Sequence, residues 1–186
     1  MVAGLDELIT RLDAAVASGD PETITIQVKR DLEDLLGRAA LGLPDHFRAA
    51  RPDCYARRLL HQDPQGRYTA VVMTWGPGQA TPVHDHGGLW CVEGVVEGEM
   101  SVTQYDVAPD DDGRFRATPL GTIAAGVGSA GRLIPPTDYH VLGNGRADRA
   151  SVTLHIYGGS LDNCKVFVAD GDGRYREVVK ALSYHE

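Results

Sequence analysis

From about Leu59 onward the chain consists of short runs rich in Val, Ile, Thr and Tyr, separated by Gly, Pro and Asp-Gly punctuation. The runs are Tyr68–Thr74, Trp90–Val96, Met100–Asp106, Gly131–Ile134, Ser151–Tyr157, Cys164–Ala169 and Tyr175–Val179. Such segments predict strands, and the acidic clusters Asp110-Asp111-Asp112-Gly113 and Asp170-Gly171-Asp172-Gly173 predict the solvated turns of hairpins. Many short strands with tight turns indicate an all-β sandwich or barrel.

The first fifty residues have a different texture. Leu5, Leu8, Ile9, Leu12 and Val16 recur at helical spacing, as do Ile24, Val28, Leu32, Leu35 and Leu36. Asp20 is placed to cap the second helix, Pro21 to open it and Gly37 to end it. A third, short helix is expected from Asp45, after Pro44. No repeat or low-complexity linker divides the 186 residues, so one domain is expected, with residues 1–50 forming a helical layer on a β-barrel of residues 55–186.

Bulk properties exclude several classes. The net charge is −8 and no Lys/Arg-rich run occurs, which argues against nucleic acid as a partner. Apolar stretches fall far short of the roughly 20 residues of a membrane helix. Asp6 and Glu7 near the start, without a basic n-region, predict no secretory leader and a cytoplasmic protein. Cys54, Cys91 and Cys164 show no CxxC spacing, which fits a reducing compartment. Cys54 and Cys164 read as inert buried thiols. A monomer or weak homo-oligomer is expected.

Within the β region, Gly78-x(5)-His84-x-His86-x(4)-Cys91-x(6)-Gly98 carries the chemistry. Histidines at i and i+2 share a face of a strand. A third imidazole, His140, arrives from a distant run, Pro135-Pro136-Thr137-Asp138-Tyr139-His140. Three histidines on one face of a metal leave positions open for reactants, whereas a closed four-ligand site only supports a fold.

This spacing resembles the first motif of the cupin superfamily, with Cys91 at the position of its glutamate. Of the second motif, Pro135, His140 and Asn144 are in register. Cysteine at that position is similar to the cysteine dioxygenase (thiol dioxygenase) family, as are Tyr55-Ala56-Arg57, Trp75-Gly76-x-Gly78 and Leu154-His155-Ile156-Tyr157. The resemblance runs from about Tyr55 to Cys164. It implies a jelly-roll-like cupin β-barrel and an iron(II), Fe(2+), cofactor held by His84, His86 and His140. Spacing alone would also accept Ni, Co or Zn. Without a carboxylate ligand the site would keep a high charge, to be offset by an incoming thiolate.

The resemblance also assigns roles. Tyr157 is the phenol expected to face the metal, His155 to orient it, and Thr153 to hold the imidazole, making a row on one strand face. Cys91 and Tyr157 match the pair that forms a thioether crosslink in animal members; a free thiol beside the metal is the other outcome. Arg57 is the expected carboxylate clamp, because a guanidinium offers a fixed bidentate fork. Tyr55 shares its face. Arg58 should point the other way, as a surface charge. The family links arginine at this position with cysteine, and glutamine with 3-mercaptopropionate.

The expected activity is therefore oxygenation of a small thiol by O2 to a sulfinate, with L-cysteine the leading substrate. The competitors are 3-mercaptopropionate and mercaptosuccinate, whose second carboxylate could use Arg58. From another class, a cupin that binds or isomerises a small molecule without oxygenase activity also fits a metal barrel. His61 is expected to be exposed, His46 and His185 to have no constellation, Trp75 and Trp90 to pack, and Asp85 to face away from the metal in a salt bridge.

Overall fold

The computed structural model, which describes residues 2–186, begins with the two helices that the leucine spacing predicts, α1 (Leu5–Val16) and α2 (Pro21–Gly37). The Asp20 carboxylate accepts a hydrogen bond from the Thr23 amide at 2.9 Å, satisfying a donor left free by the first turn of α2. The predicted third helix is only a 3-10 turn, Asp45–Arg48, because the backbone becomes extended at Ala49.

The rest of the chain is mainly β. Its strands are β1 (Ala56–Gln62), β2 (Thr69–Trp75), β3 (Val83–His84), β4 (Cys91–Glu97), β5 (Glu99–Pro109) and β6 (Phe115–Gly126). They continue as β7 (Ala130–Leu133), β8 (His140–Asn144), β9 (Ser151–Tyr157), β10 (Asn163–Ala169) and β11 (Tyr175–Ala181). One sheet has the order β1-β2-β9-β4-β7; the other runs β10-β11-β6-β5-β8-β3 and closes through β3 and β10.

Strands β2 and β9 are buried along their whole length, because both faces of the first sheet are covered. Ala70, Val72, Val92, Leu154 and Ile156 pack outward on Leu32, Leu35 and Leu36 of α2. Val71, Met73, Cys91, Val95 and Tyr157 face inward on Met100 and Leu142 of the second sheet. A period of two thus sends one set of side chains to the helical layer and the other into the barrel.

Gly94 sets the helix-to-sheet distance. A Cβ there would stand 2.5 Å from Leu36 Cδ1 and 3.5 Å from Leu32 Cδ1. Gly94→Val should therefore overpack this layer and cost about 1–3 kcal/mol. Thermal denaturation would show a lowered midpoint; an unchanged one would mean that α2 has room to move.

The hairpin turn at Asp110–Gly113 implies a returning strand that no apolar run marks in the sequence, and β6 occupies Phe115–Gly126. Its side chains are mostly exposed, so no buried stripe marks it, and its register comes from the long β5–β6 ladder. No helix among the described residues is long and apolar enough to cross a membrane.

Candidate metal and substrate site

The three motif histidines meet inside the barrel. His84 and His140 are direct cross-strand partners of β3 and β8. The β3 strand ends at His84, so His86 lies in the extended segment that follows instead of on the strand itself. That segment keeps its direction because Asp85 N–H bonds the Lys165 carbonyl at 3.1 Å. Ring centroids are 5.3 Å apart for His84–His86, 4.5 Å for His84–His140 and 5.1 Å for His86–His140.

Each imidazole has an oxygen acceptor near Nδ1. His84 Nδ1 lies 3.1 Å from the Pro82 carbonyl, His86 Nδ1 3.0 Å from Asp138 Oδ2, and His140 Nδ1 3.1 Å from the Asp138 carbonyl. These acceptors favour the Nδ1–H tautomer and leave the Nε2 lone pairs free. The Nε2 atoms of His86 and His140 are buried without a hydrogen-bond partner. Two orphaned nitrogens and a third nearby fit a metal ion, and His84, His86 and His140 form a group that could hold one. Burial pushes the His84 and His86 pKa values down, so both remain neutral ligands.

Asp138, which the motif reading passes over, anchors His86 twice. Its Oδ2 accepts from the His86 ring and from the His86 backbone N–H, both at 3.0 Å. Burial works to raise its pKa, but the His86 contact outweighs that and keeps it a carboxylate. Asp138→Ala should weaken metal binding by about 10- to 100-fold, measured by chelator competition, with the strand content unchanged.

On β4 and β9 the inward faces are in register: Cys91 opposite Tyr157, Glu93 opposite His155, Val95 opposite Thr153. Burial raises the pKa values of the Cys91 thiol and the Tyr157 phenol, which keeps both protonated. Among the described residues Tyr157 Oη has only the Met73 sulfur within hydrogen-bond reach, at 3.9 Å. His155 stacks on Tyr157 with centroids 5.9 Å apart. Its ring nitrogens point elsewhere: Nε2 meets Thr153 Oγ1 at 2.7 Å, and Nδ1 faces Glu93 Oε1 at 3.3 Å. Trp75 Nε1–H donates to Thr153 Oγ1 at 2.9 Å, so Trp75 does more than pack. The expected Thr153–His155 contact is present and is extended by Trp75, while His155 stacks on Tyr157 without a hydrogen bond to it.

Glu93 is the main residue that sequence reading misses, and it places a carboxylate beside the histidines. Its Oε1 stands 3.3 Å from His140 Nε2 and 3.9 Å from His86 Nε2. Burial alone would raise its pKa, but His140 and His155 outweigh that and hold the group ionised. The available signal is Cys91-x-Glu93, two residues on the same strand face.

Arg57 is buried, at 4% exposure. Its guanidinium has only long contacts, to the Ser183 carbonyl at 3.4 Å and the Leu161 carbonyl at 3.5 Å, and no carboxylate partner among the described residues. Arg57, Tyr55, Tyr157, His84 and His86 line one small cavity of about 30 Å³. Glu93 and Leu142 separate it from a mostly apolar cleft of about 400 Å³ that reaches His140 and Thr153 and opens beside β5 and β6. Arg57, Tyr55, Tyr157, His84 and His86 converge on the small cavity, whereas the larger cleft is lined mainly by apolar side chains.

Other expectations need correction. Arg58 faces away from Arg57 but is buried, bonding the Ala49 carbonyl at 2.8 Å, and cannot serve a second substrate carboxylate. His185 Nδ1 accepts from the Arg57 backbone N–H at 3.0 Å, so it does belong to a constellation. His61 is half-buried. Asp85 holds the backbone amides of Gly87 and Lys165 and forms no salt bridge among the described residues. Cys54 is only half-buried.

The chain is 23% identical over 113 residues to cysteine dioxygenase type 1 of Danio rerio, covering 61% of this chain and 55% of that protein. It is 22% identical over the same length to the Rattus norvegicus protein of that name, with the same coverage. The chain thus spans about half the length of the curated relatives it matches. Among solved structures, a Thermus thermophilus protein is 21% identical and aligns over 62% of this chain and 92% of its own, with a TM-score of 0.46. A Klebsiella pneumoniae protein with a double-stranded β-helix domain is 17% identical over 63% of this chain and 88% of its own, with a TM-score of 0.45. The model of the family described as cysteine dioxygenase type I matches residues 45–170, more than half of the sequence, and the chain belongs to that family.

Proposed function

We propose that this protein is an iron(II)-dependent thiol dioxygenase acting on a small thiol carboxylate, with L-cysteine the leading substrate. The observation that carries the reading is the buried Arg57 guanidinium, without a carboxylate partner, in the same small cavity as His84 and His86. A buried cation of this kind favours an anionic ligand that completes its ion pair.

His84, His86 and His140 would hold the metal, which supplies the site where thiolate and O2 are brought together. Arg57 fixes the substrate carboxylate, so that the sulfur is presented in one pose. Tyr55, whose ring packs on Trp75 at 4.6 Å, walls the cavity beside it. The Tyr157 hydroxyl, held by nothing stronger than a thioether, is free to donate a hydrogen bond to the reacting groups. The thiolate gains both atoms of O2 and becomes a sulfinate; sulfur loses the four electrons that O2 accepts, and no external reductant enters.

Steady-state assays of the iron-loaded protein on L-cysteine, 3-mercaptopropionate and mercaptosuccinate test the substrate. We expect the highest kcat/KM on L-cysteine and the lowest on mercaptosuccinate, since Arg58 points away from the cavity and Glu93 would repel a second carboxylate. Faster turnover of mercaptosuccinate would overturn the choice. The non-oxygenase cupin reading gains one observation, the carboxylate of Glu93 near the histidines. It predicts no thiol-dependent O2 uptake.

A further inference from the structure

We propose that Glu93 is a fourth protein ligand to the metal, making the centre a three-histidine, one-carboxylate set. The inference rests on the metal-centre reading above and deepens it.

The geometry starts from one atom. Glu93 Oε1 lies 3.3 Å from His140 Nε2 and 3.9 Å from His86 Nε2, the two buried nitrogens that lack hydrogen-bond partners. Two donors bound to one ion at about 2.1 Å stand between about 3.0 Å apart at right angles and about 4.2 Å apart when opposite. Both separations fall in that range. Glu93 also belongs, with His86 and Cys91, to a second group of potential ligands that shares His86 with the three-histidine group.

Charge compensation points the same way. A buried carboxylate needs a cation or several hydrogen bonds. Among the described residues no lysine, arginine or backbone amide pairs with Glu93; its ion-pair partners are His86, His140 and His155. The contact with His155 is poorly aligned, since His155 Nδ1 makes no regular hydrogen bond. A metal ion between Glu93 and the histidines supplies the missing positive charge.

Strand register explains how the carboxylate gets there. Position 91, where a glutamate would be expected, holds a thiol, and the next inward position on β4 is 93. The carboxylate therefore enters one inward step further along the strand.

A fourth protein ligand leaves fewer positions for the substrate. With four of about six positions taken by protein groups, two would remain for the substrate thiolate and O2. The substrate amine would then be recognised without a bond to the metal.

A crystal structure of the native metal-loaded chain is the first test. Glu93 Oε1 is expected about 2.0–2.2 Å from the ion; a separation beyond about 3 Å overturns the assignment. In solution, Glu93→Gln should weaken cobalt(II) binding by more than about 100-fold in chelator competition, beyond what loss of an outer partner does. It should also change the visible cobalt spectrum. Affinity within about threefold of the native chain, with an unchanged spectrum, overturns the proposal. His84→Ala separates the two levels of the argument. If it loses the metal while Glu93→Gln keeps it, only the Glu93 assignment fails. If His84→Ala also binds cobalt like the native chain, the three-histidine reading fails and takes Glu93 with it.

Discussion

His140→Ala is expected to strip the protein of metal and reduce thiol-dependent O2 uptake by at least about 1000-fold, well beyond the roughly 10- to 100-fold of an outer partner. The side chain is 1% exposed and its Nε2 has no hydrogen-bond partner, so the imidazole serves nothing in the fold through that atom. Its Nδ1 contact is to a carbonyl only two residues away. Removing the ring leaves a cavity in the barrel, so some stability is lost as well. The discriminating comparison is therefore metal content against melting temperature of the metal-free forms. A variant that melts near the native apoprotein yet retains no iron shows that His140 is a ligand. Retained iron with retained activity would remove it from the centre.

Arg57→Gln should lower kcat/KM for L-cysteine by about 30- to 900-fold, equivalent to about 2–4 kcal/mol, the range for breaking a buried charge-assisted contact. Most of the change should fall on KM, because the carboxylate is held alike before and during the reaction. Cysteamine, which has the thiol and amine without the carboxylate, is the control. Its turnover should be nearly unchanged in the variant. An equal loss on both thiols would mean that Arg57 supports the pocket wall, through the Leu161 and Ser183 carbonyls and the Tyr184 ring it overlies at 5.4 Å.

How much the sequence reveals depends on how local each signal is. The bounds of β9, Ser151–Tyr157, follow from a run of residues with strand character, and the start of α2 from a cap and the proline beside it. His84 and His86 are legible because two residues suffice to aim them. Asp138 is not, because its value lies in meeting His86 across 52 residues, which only the closed barrel brings about. Arg58 is read as a surface charge for a similar reason: the Ala49 carbonyl and Thr74 hydroxyl that receive it come from separate segments. Glu93 hides behind the general rule that acidic side chains on a strand face water. Strand β6 escapes notice because it pairs along one edge while leaving most of its side chains exposed.

If a thiol is seated between Arg57 and the histidine-bound metal, both atoms of O2 should reach its sulfur. Turnover of L-cysteine by the iron-loaded protein under oxygen-18 gas, with the product weighed by mass spectrometry, is the decisive measurement. The expected product is a sulfinate in which both oxygens are oxygen-18, formed in step with O2 consumption. A product carrying oxygen from water, a disulfide in place of sulfinate, or no O2 uptake at all would rule out this chemistry at the site.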